Sequence, residues 1–365
     1  MKYIFHICPN YLESPLYHNL LVELENNDVK NIVYVPFYEV KKDVRYKIDY
    51  LKKSFGKIDR LLFYRKQNII YKDILEKDYL TEINTIHAHT LFSSGYAAYR
   101  ISKNINKKYI VAIRDTDVNI FFKYMIHLRK LGVKIMRNAE KIIFLSAAYK
   151  FDVISKYVPK LLKEEICTKS IVIPNGVDNY FLINKYHKEK KKNSNILKFL
   201  YIGQLSKRKN IKTTIKACKI IIDMGYKINY IIVGEKKIFN IDYWLKKYSF
   251  ITYYKKCKKE QVLQYMRDAD IFVMPSITET FGLVYPEAMS QGLPVIYSKG
   301  QGFDGYFNDG DVGYAVNCFD YKMIAKKIMD IYLDYDNISK RCIKYADEFN
   351  WKNIAIKYKE IYEIY

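Results

Sequence analysis

Residues 271–298 read IFVMPSITETFGLVYPEAMSQGLPVIYS, and this stretch decides the fold. The apolar run Ile271-Phe272-Val273-Met274 stops at Pro275-Ser276, as a buried parallel strand does where it meets a turn. Phe281-Gly282-Leu283 then opens a short helix, with Pro286 near its start, where a missing N–H is harmless. Gly292 suits the helix C-terminus, and Pro294 bars continuation before the next strand at 295–298. Strand, loop, helix and strand in this order make one turn of an α/β fold. They carry two carboxylates, Glu279 on the loop and Glu287 about two turns further along. Gly282 allows a ligand close to the backbone, and the first amides of the helix can hold a diphosphate. One carboxylate can then accept hydrogen bonds from a sugar and the other from a ribose. A capping carboxylate plus a solvated helix Glu would look similar in isolation.

The surrounding residues resemble the signature of retaining GT-B glycosyltransferases of family 4, in which two Glu are separated by seven residues. Thr278-Glu279-Thr280-Phe281-Gly282-Leu283, Pro286-Glu287-Ala288-Met289 and Gly292-Leu293-Pro294-Val295 carry the likeness. It implies two Rossmann-like, doubly wound parallel-sheet domains facing a central cleft.

Composition is compatible with that size and class. The chain has 365 residues, half of them hydrophobic, enough for two α/β domains and too many for disorder. Its 62 Lys+Arg against 39 Asp+Glu give a net charge of +23, which would suit anionic partners. Lys, Ile, Asn and Tyr are enriched along the whole chain, however, as a genome-wide codon bias would also produce. Six cysteines form neither a CxxC pair nor a Cys/His metal spacing, which argues against a disulfide framework and a zinc site. The N-terminus reads as a first core strand rather than a signal peptide, and no apolar run approaches membrane-spanning length. A cytoplasmic protein is expected, with any contact at the inner face of the membrane peripheral.

Strands are expected at 3–7, 31–35, 61–63, 85–87, 109–113, 141–145 and 170–173, with helices such as 96–103 and 121–138 between them. The second half restarts at 197–202, with a helix from Asn210 and strands at 230–233, 250–254, 271–274 and 295–297. The expected domains are 1–183 and 196–349, joined by a lysine-rich linker at 184–195. By resemblance, the tail at 350–365 forms a helix that crosses back onto the first domain.

The loop 203–210, GQLSKRKN, leaves a strand and opens a helix, which makes it a natural anion site. Lys209 is the expected phosphate ligand. The family usually has Arg where Gln204 stands, and Lys207 or Arg208 is placed to compensate. Gly203 and Gly234 end their strands beside the nucleotide. Donor binding is thus assigned to Gly203, Gln204, Lys209, Gly234, Glu279, Thr280, Phe281, Gly282, Leu283 and Glu287. In the first half, His87-Ala88-His89-Thr90 ends a strand, and alternation points both histidines to one side. Either a buried, hydrogen-bonded pair or an acceptor contact from His89 fits that placement. Gly95 begins the next helix and could line the acceptor side. Arg114-Asp115-Thr116-Asp117 ends the following strand, and its Asp-x-Asp alone would suggest a metal site. The family resembled is metal-independent, so neither metal nor cofactor is expected. Arg114 replaces a common active-site His, and its permanent charge suits a phosphate or carboxylate on the acceptor. Asp117 is a further acceptor-side candidate. The mixed aromatic and basic stretch 121–130 fits either a core stripe or an interfacial helix.

These readings converge on a hexosyltransferase whose donor is a nucleotide diphosphate sugar, UDP-linked in preference to GDP-linked. The acceptor would be a saccharide or lipid-linked hydroxyl, in cell-surface glycan synthesis, with no nucleic acid involved. Glu279, Lys209 and Arg114 are the expected catalytic residues. A GT-B epimerase or phosphorylase is the enzymatic alternative. A non-catalytic basic module on a polyanion or membrane surface is the other.

Overall fold

The computed structural model describes residues 2–37, 48–53, 56, 59, 62–76, 78–187, 196–237 and 241–364. The chain forms two compact units, one of residues 1–145, 149–176 and 351–365, the other of 146–148 and 177–350.

In the first unit the strands are β1 (Lys2–Ile7), β2 (Val29–Phe37), β3 (Tyr50–Lys53), β4 (Thr85–Ala88), β5 (Lys108–Ile113), β6 (Lys141–Phe144) and β7 (Ser170–Val172). They form one parallel sheet in the order β3-β2-β1-β4-β5-β6-β7. Strand alternation sends Phe5, Ile7, Val111 and Ile113 into one core, and Ile4, Cys8, Ile110 and Ala112 into the other. Burial on both faces is what a parallel sheet needs. The second core is closed by the helices Pro15–Glu25 and Trp351–Ile364. In the tail helix Trp351, Ile354, Ala355, Tyr358, Ile361 and Tyr362 are buried, spaced three and four apart along a single face. Gly176 lies flat on Trp351, where an added Cβ would come within 2.3 Å of the indole.

The second unit has β8 (Ile196–Ile202), β9 (Lys227–Val233), β10 (Ile251–Tyr254), β11 (Ile271–Val273), β12 (Val295–Ser298) and β13 (Gly313–Val316). These are parallel in the order β10-β9-β8-β11-β12-β13. Each sheet therefore reverses its winding once, between β1 and β4 and between β8 and β11. In open α/β sheets, ligands bind beyond the carboxyl ends of the strands at such a reversal.

Several expectations are corrected. No strand occupies 61–63: Phe63 starts the helix Phe63–Leu75, which buries Ile70 and Ile74. Leu61 lies outside the described residues. The strand that fills this place is β3, a four-residue edge with Leu51 exposed and hence no apolar signal. The expected helix at 121–138 is broken into a π-helical turn Asp117–Phe122, a 3-10 turn Ile126–Leu128 and the α-helix Arg129–Asn138. The helix after Glu279 starts at Val284, just after the expected 281–283. The first unit ends at Gly176, not 183, because Phe181 and Leu182 of the helix Asn179–Ile183 are buried in the second unit's core. Of the expected linker, 188–195 lies outside the described residues. Its start is fixed to the second unit: Tyr186 N–H donates to Ser290 O (3.2 Å) and Arg267 donates to Asn184 O (2.8 Å).

Candidate active-site residues

At the reversal point of the second unit, two strand ends meet closely. Gly203 (φ +151°) and Gly234 (φ +150°) end β8 and β9, and a Cβ on Gly234 would lie 1.8 Å from Gly203 O. Glycine is required there because no side chain fits between the two backbones. The chain then makes one 3-10 turn, Lys207–Lys209, held by Asn210 in the left-handed region at φ +54°. Asn210 Nδ2 donates to Pro275 O (3.1 Å) and Cys318 O (2.5 Å), tying this loop to the end of β11. The result buries Lys209 against Glu279, whose carboxylate accepts from Lys209 Nζ. Burial lowers the Lys209 pKa, and the Glu279 charge opposes that shift. Arg208 stays exposed above them and donates to Thr278 O (3.1 Å). Gln204 is exposed, and its carbonyl accepts from the Tyr201 hydroxyl (2.9 Å).

The Glu279 loop is braced from the far side by residues that sequence reasoning missed. Gln301 Oε1 accepts from Glu279 N–H (2.9 Å), and Gly302 N–H donates to Glu279 O (2.7 Å). A Cβ on Gly302 would fall 1.9 Å from Thr280 O, so only glycine permits this contact. The sequence signal was present in Gly300-Gln301-Gly302 after a strand, but nothing local linked it to Glu279. Phe281 is buried beside Phe303, Tyr306 and Phe349, so its ring is core and only its backbone can serve a ligand. Gly282 has φ +82°, and the Tyr285 ring lies 2.4 Å from where a Cβ would stand. The amides of Phe281, Gly282 and Leu283 have no acceptor among the described residues. Glu287 sits on the next turn, half-buried, its carboxylate without a hydrogen-bond partner there. Burial first, then the Asp178 carboxylate, pushes its pKa up to about 7.

The first unit collects a different set at its own reversal point. His6 and His87 are in register on neighbouring strands, and His89 follows two residues later on the same face. All three are buried. Asn31 Nδ2 donates to Leu21 O (2.9 Å), which turns its Oδ1 toward His6 Nε2 (2.9 Å). His6 Nε2 is therefore the donor, and His6 Nδ1 accepts from His89 Nε2 (3.0 Å). His87 Nδ1 pairs with the Tyr362 hydroxyl of the tail helix at 2.6 Å. Burial lowers all three pKa values, His6 to about 3.

Arg114 reaches the same region from the end of β5. Its Nε donates to His89 O (3.3 Å) and Nη1 to Asn175 Oδ1 (2.9 Å), with Tyr17 under the guanidinium at 5.6 Å. The Tyr358 side chain lies close enough to act on its charge. Asp117 does not face outward as an acceptor contact. Its two oxygens accept from the amides of Leu91 (2.9 Å), Phe92 (3.0 Å) and Arg114 (2.9 Å), and burial raises its pKa to about 6. Asp115 accepts from Asn119 (2.5 Å), so the Asp-x-Asp pair does not converge on one point. Gly95 is likewise interior: a Cβ would meet Thr90 O at 3.1 Å and Val111 at 3.2 Å, leaving no open face for a ligand.

Among the described residues, one group brings three potential metal ligands within 4.8 Å: His6, His87 and His89. It contains no anionic ligand, and the positive Arg114 acts on His87 and His89. No described helix is long and apolar enough to cross a membrane.

Residues 183–349 match the family model described as glycosyl transferases group 1. An uncharacterized glycosyltransferase of Methanocaldococcus jannaschii is 24% identical over 94% of this chain and 92% of its own length. A capsular polysaccharide biosynthesis glycosyltransferase of Staphylococcus aureus is 29% identical over 57% of this chain and 56% of its own. Among solved structures, sucrose-phosphate synthase from Thermosynechococcus elongatus superposes with a TM-score of 0.75 at 18% identity, covering 100% of this chain and 98% of that one. Anabaena HepE in complex with UDP and glucose gives a TM-score of 0.65 at 16% identity over 99% of each chain. The fold is thus GT-B, and the match to the glycosyl transferases group 1 model falls within the second unit.

Proposed function

We propose that this group 1 glycosyltransferase domain binds a nucleotide diphosphate sugar at the β8/β11 reversal and moves a hexosyl unit to a hydroxyl acceptor. The observation that carries the reading is the buried Lys209–Glu279 pair beside three amides that have no protein acceptor. A cation paired to a carboxylate is charge-compensated at rest, and an arriving diphosphate recruits the ammonium while Glu279 turns to sugar hydroxyls. The amides of Phe281, Gly282 and Leu283 add neutral donors to the phosphates. Exposed Arg208 stands in for the arginine that Gln204 replaces. Glu287, without a partner of its own, accepts from the ribose diol.

In the reaction the bond from the anomeric carbon to the phosphate oxygen breaks, and its electron pair stays on the diphosphate. The acceptor oxygen bonds to that carbon, and its proton passes to the leaving phosphate. Charge grows on the diphosphate as the bond lengthens, so Lys209 and the amides stabilise the transition state above the bound donor. No carboxylate in the second unit's set is placed as a covalent nucleophile, which favours front-face attack with retention, as in family 4. The chemistry as drawn needs no metal. The donor base is read as uracil in preference to guanine, supported by HepE, which was solved with UDP and glucose. An acceptor in cell-surface polysaccharide synthesis, handled at the cytoplasmic face of the membrane, fits the capsular relative.

Thermal shift against UDP, GDP and their hexose conjugates tests the reading, since a ligand of the native state raises its melting temperature. UDP-hexose should stabilise the wild type, and E279Q should lose sugar transfer. Donor incubated alone should release UDP only slowly and show no isomerised sugar. Rapid isomerisation would instead identify an epimerase.

A further inference from the structure

Each sheet brings a cation beyond the carboxyl ends of its strands, and the two cations differ in one respect. Lys209 at the β8/β11 reversal is ion-paired with Glu279. Arg114, at the end of β5 beside the β1/β4 reversal, has no ion-paired carboxylate among the described residues. Its contacts are a backbone carbonyl, the Asn175 amide oxygen, Tyr358 and the Tyr17 ring, all neutral. The histidines beneath it are neutral too, because burial holds them far below their usual pKa. Asp117 feels the guanidinium's charge, but its oxygens are taken by three amides. A half-buried cation in a low-dielectric setting is costly unless an anion completes it.

We infer that Arg114, with Asn175 and Tyr17, forms a subsite for an oxyanion carried by the acceptor, a phosphate or a carboxylate. Three features support this over a purely structural arginine. Arg114 is half-buried rather than sealed in the core, so a ligand can reach its side chain. Its fork is held from two sides, by His89 O and Asn175 Oδ1, which fixes its plane in advance. It also stands at the carboxyl end of β5, one strand from the β1/β4 reversal, beside the place where open α/β sheets take ligands. The tail helix contributes too, since Tyr358 lies beside the guanidinium. The inference rests on the glycosyl-transfer reading, and it narrows the acceptor to an anionic saccharide.

The test uses the full chain saturated with UDP, so that the anion site of the second unit is filled. Glucose 6-phosphate, glucuronate and glucose are titrated calorimetrically into wild type, R114K and R114Q. At least one anionic sugar should bind tenfold or more tighter than glucose, and the phosphate and uronate arms say which oxyanion is preferred. R114Q should erase that preference while holding UDP affinity within twofold, and R114K should fall between. Equal binding of glucose and both anionic sugars, or a preference that survives R114Q, overturns the inference. Should R114Q fail to fold, the wild-type comparison and R114K still decide. If UDP does not bind at all, the donor reading fails by itself, and the same titrations run on nucleotide-free K209M report on Arg114 alone.

Discussion

The Lys209–Glu279 pair illustrates how a site can be stable at rest and reactive when filled. Each residue is only 8% exposed, so deleting one partner strands a buried charge. We expect K209M alone to cost about 3–5 kcal/mol of stability. The double variant K209M/E279L removes both charges and should recover most of that loss. A double-mutant cycle by urea unfolding measures the coupling, and additive single effects would show that the pair is not a unit. Activity should vanish in every variant, which separates the pair's chemical role from its structural one. Glu287 shows the opposite economy. Its pKa is raised to about 7, so the folded state holds a proton that the unfolded chain releases near 4.5. Stability from this group is full below the unfolded value and is lost as pH rises through 7. E287Q should therefore gain about 1–3 kcal/mol at pH 8, discounted for partial exposure, and nothing at pH 4. The same change should weaken UDP binding, measured by calorimetry, at least tenfold. An E287Q gain over wild type that is no larger at pH 8 than at pH 4 would contradict the assignment.

At the scale of elements, the tail helix and the loop after β12 do work that their own sequences barely announce. Ile354 is fully buried against the helix Pro15–Glu25 and β1. I354A should cost about 2–5 kcal/mol in the first unit and leave UDP affinity unchanged. G302A would press a methyl onto the Thr280 carbonyl and displace Glu279. It should raise the Michaelis constant for donor sharply, with intact secondary structure by circular dichroism; unchanged kinetics would mean the loop tolerates the shift. The elements most legible in the sequence were those with strong periodicity or a turn signature, such as β8, β11 and the helix after Glu279. β3 and β13 were not legible, because an edge strand of four residues needs no apolar run. The break at 117–128 was hidden as well. It depends on Asp117 capturing amides from a loop some 25 residues away, which local pattern cannot reveal. Similarly, Lys209 and Glu279 could each be named from motif spacing, but their mutual pairing and the Gln301 brace needed the fold.

At the scale of the whole molecule, the chain repeats one topology twice and gives each copy different electrostatics. The second unit keeps a compensated pair and an unpartnered glutamate, while the first keeps neutral histidines around an arginine. Their responses to solution conditions should differ accordingly. The three histidines have depressed pKa values in the folded state, so they add stability above their unfolded value near 6.5. That contribution is lost as pH falls toward 3, the region in which His6 itself titrates. The two tryptophans offer a direct readout, since Trp351 lies in the first unit and Trp244 in the second. In W244F the remaining fluorescence reports the first unit alone. Acid titration should unfold it between about pH 6 and pH 3, because protonating any one of the buried rings breaks the network that joins β1, β4 and the tail helix. Saturating UDP at about 100 times its dissociation constant should add roughly 2.7 kcal/mol to the second unit's urea transition. It should leave the midpoint of the W244F signal where it was. If UDP moved both transitions equally, the two units would unfold as one cooperative body.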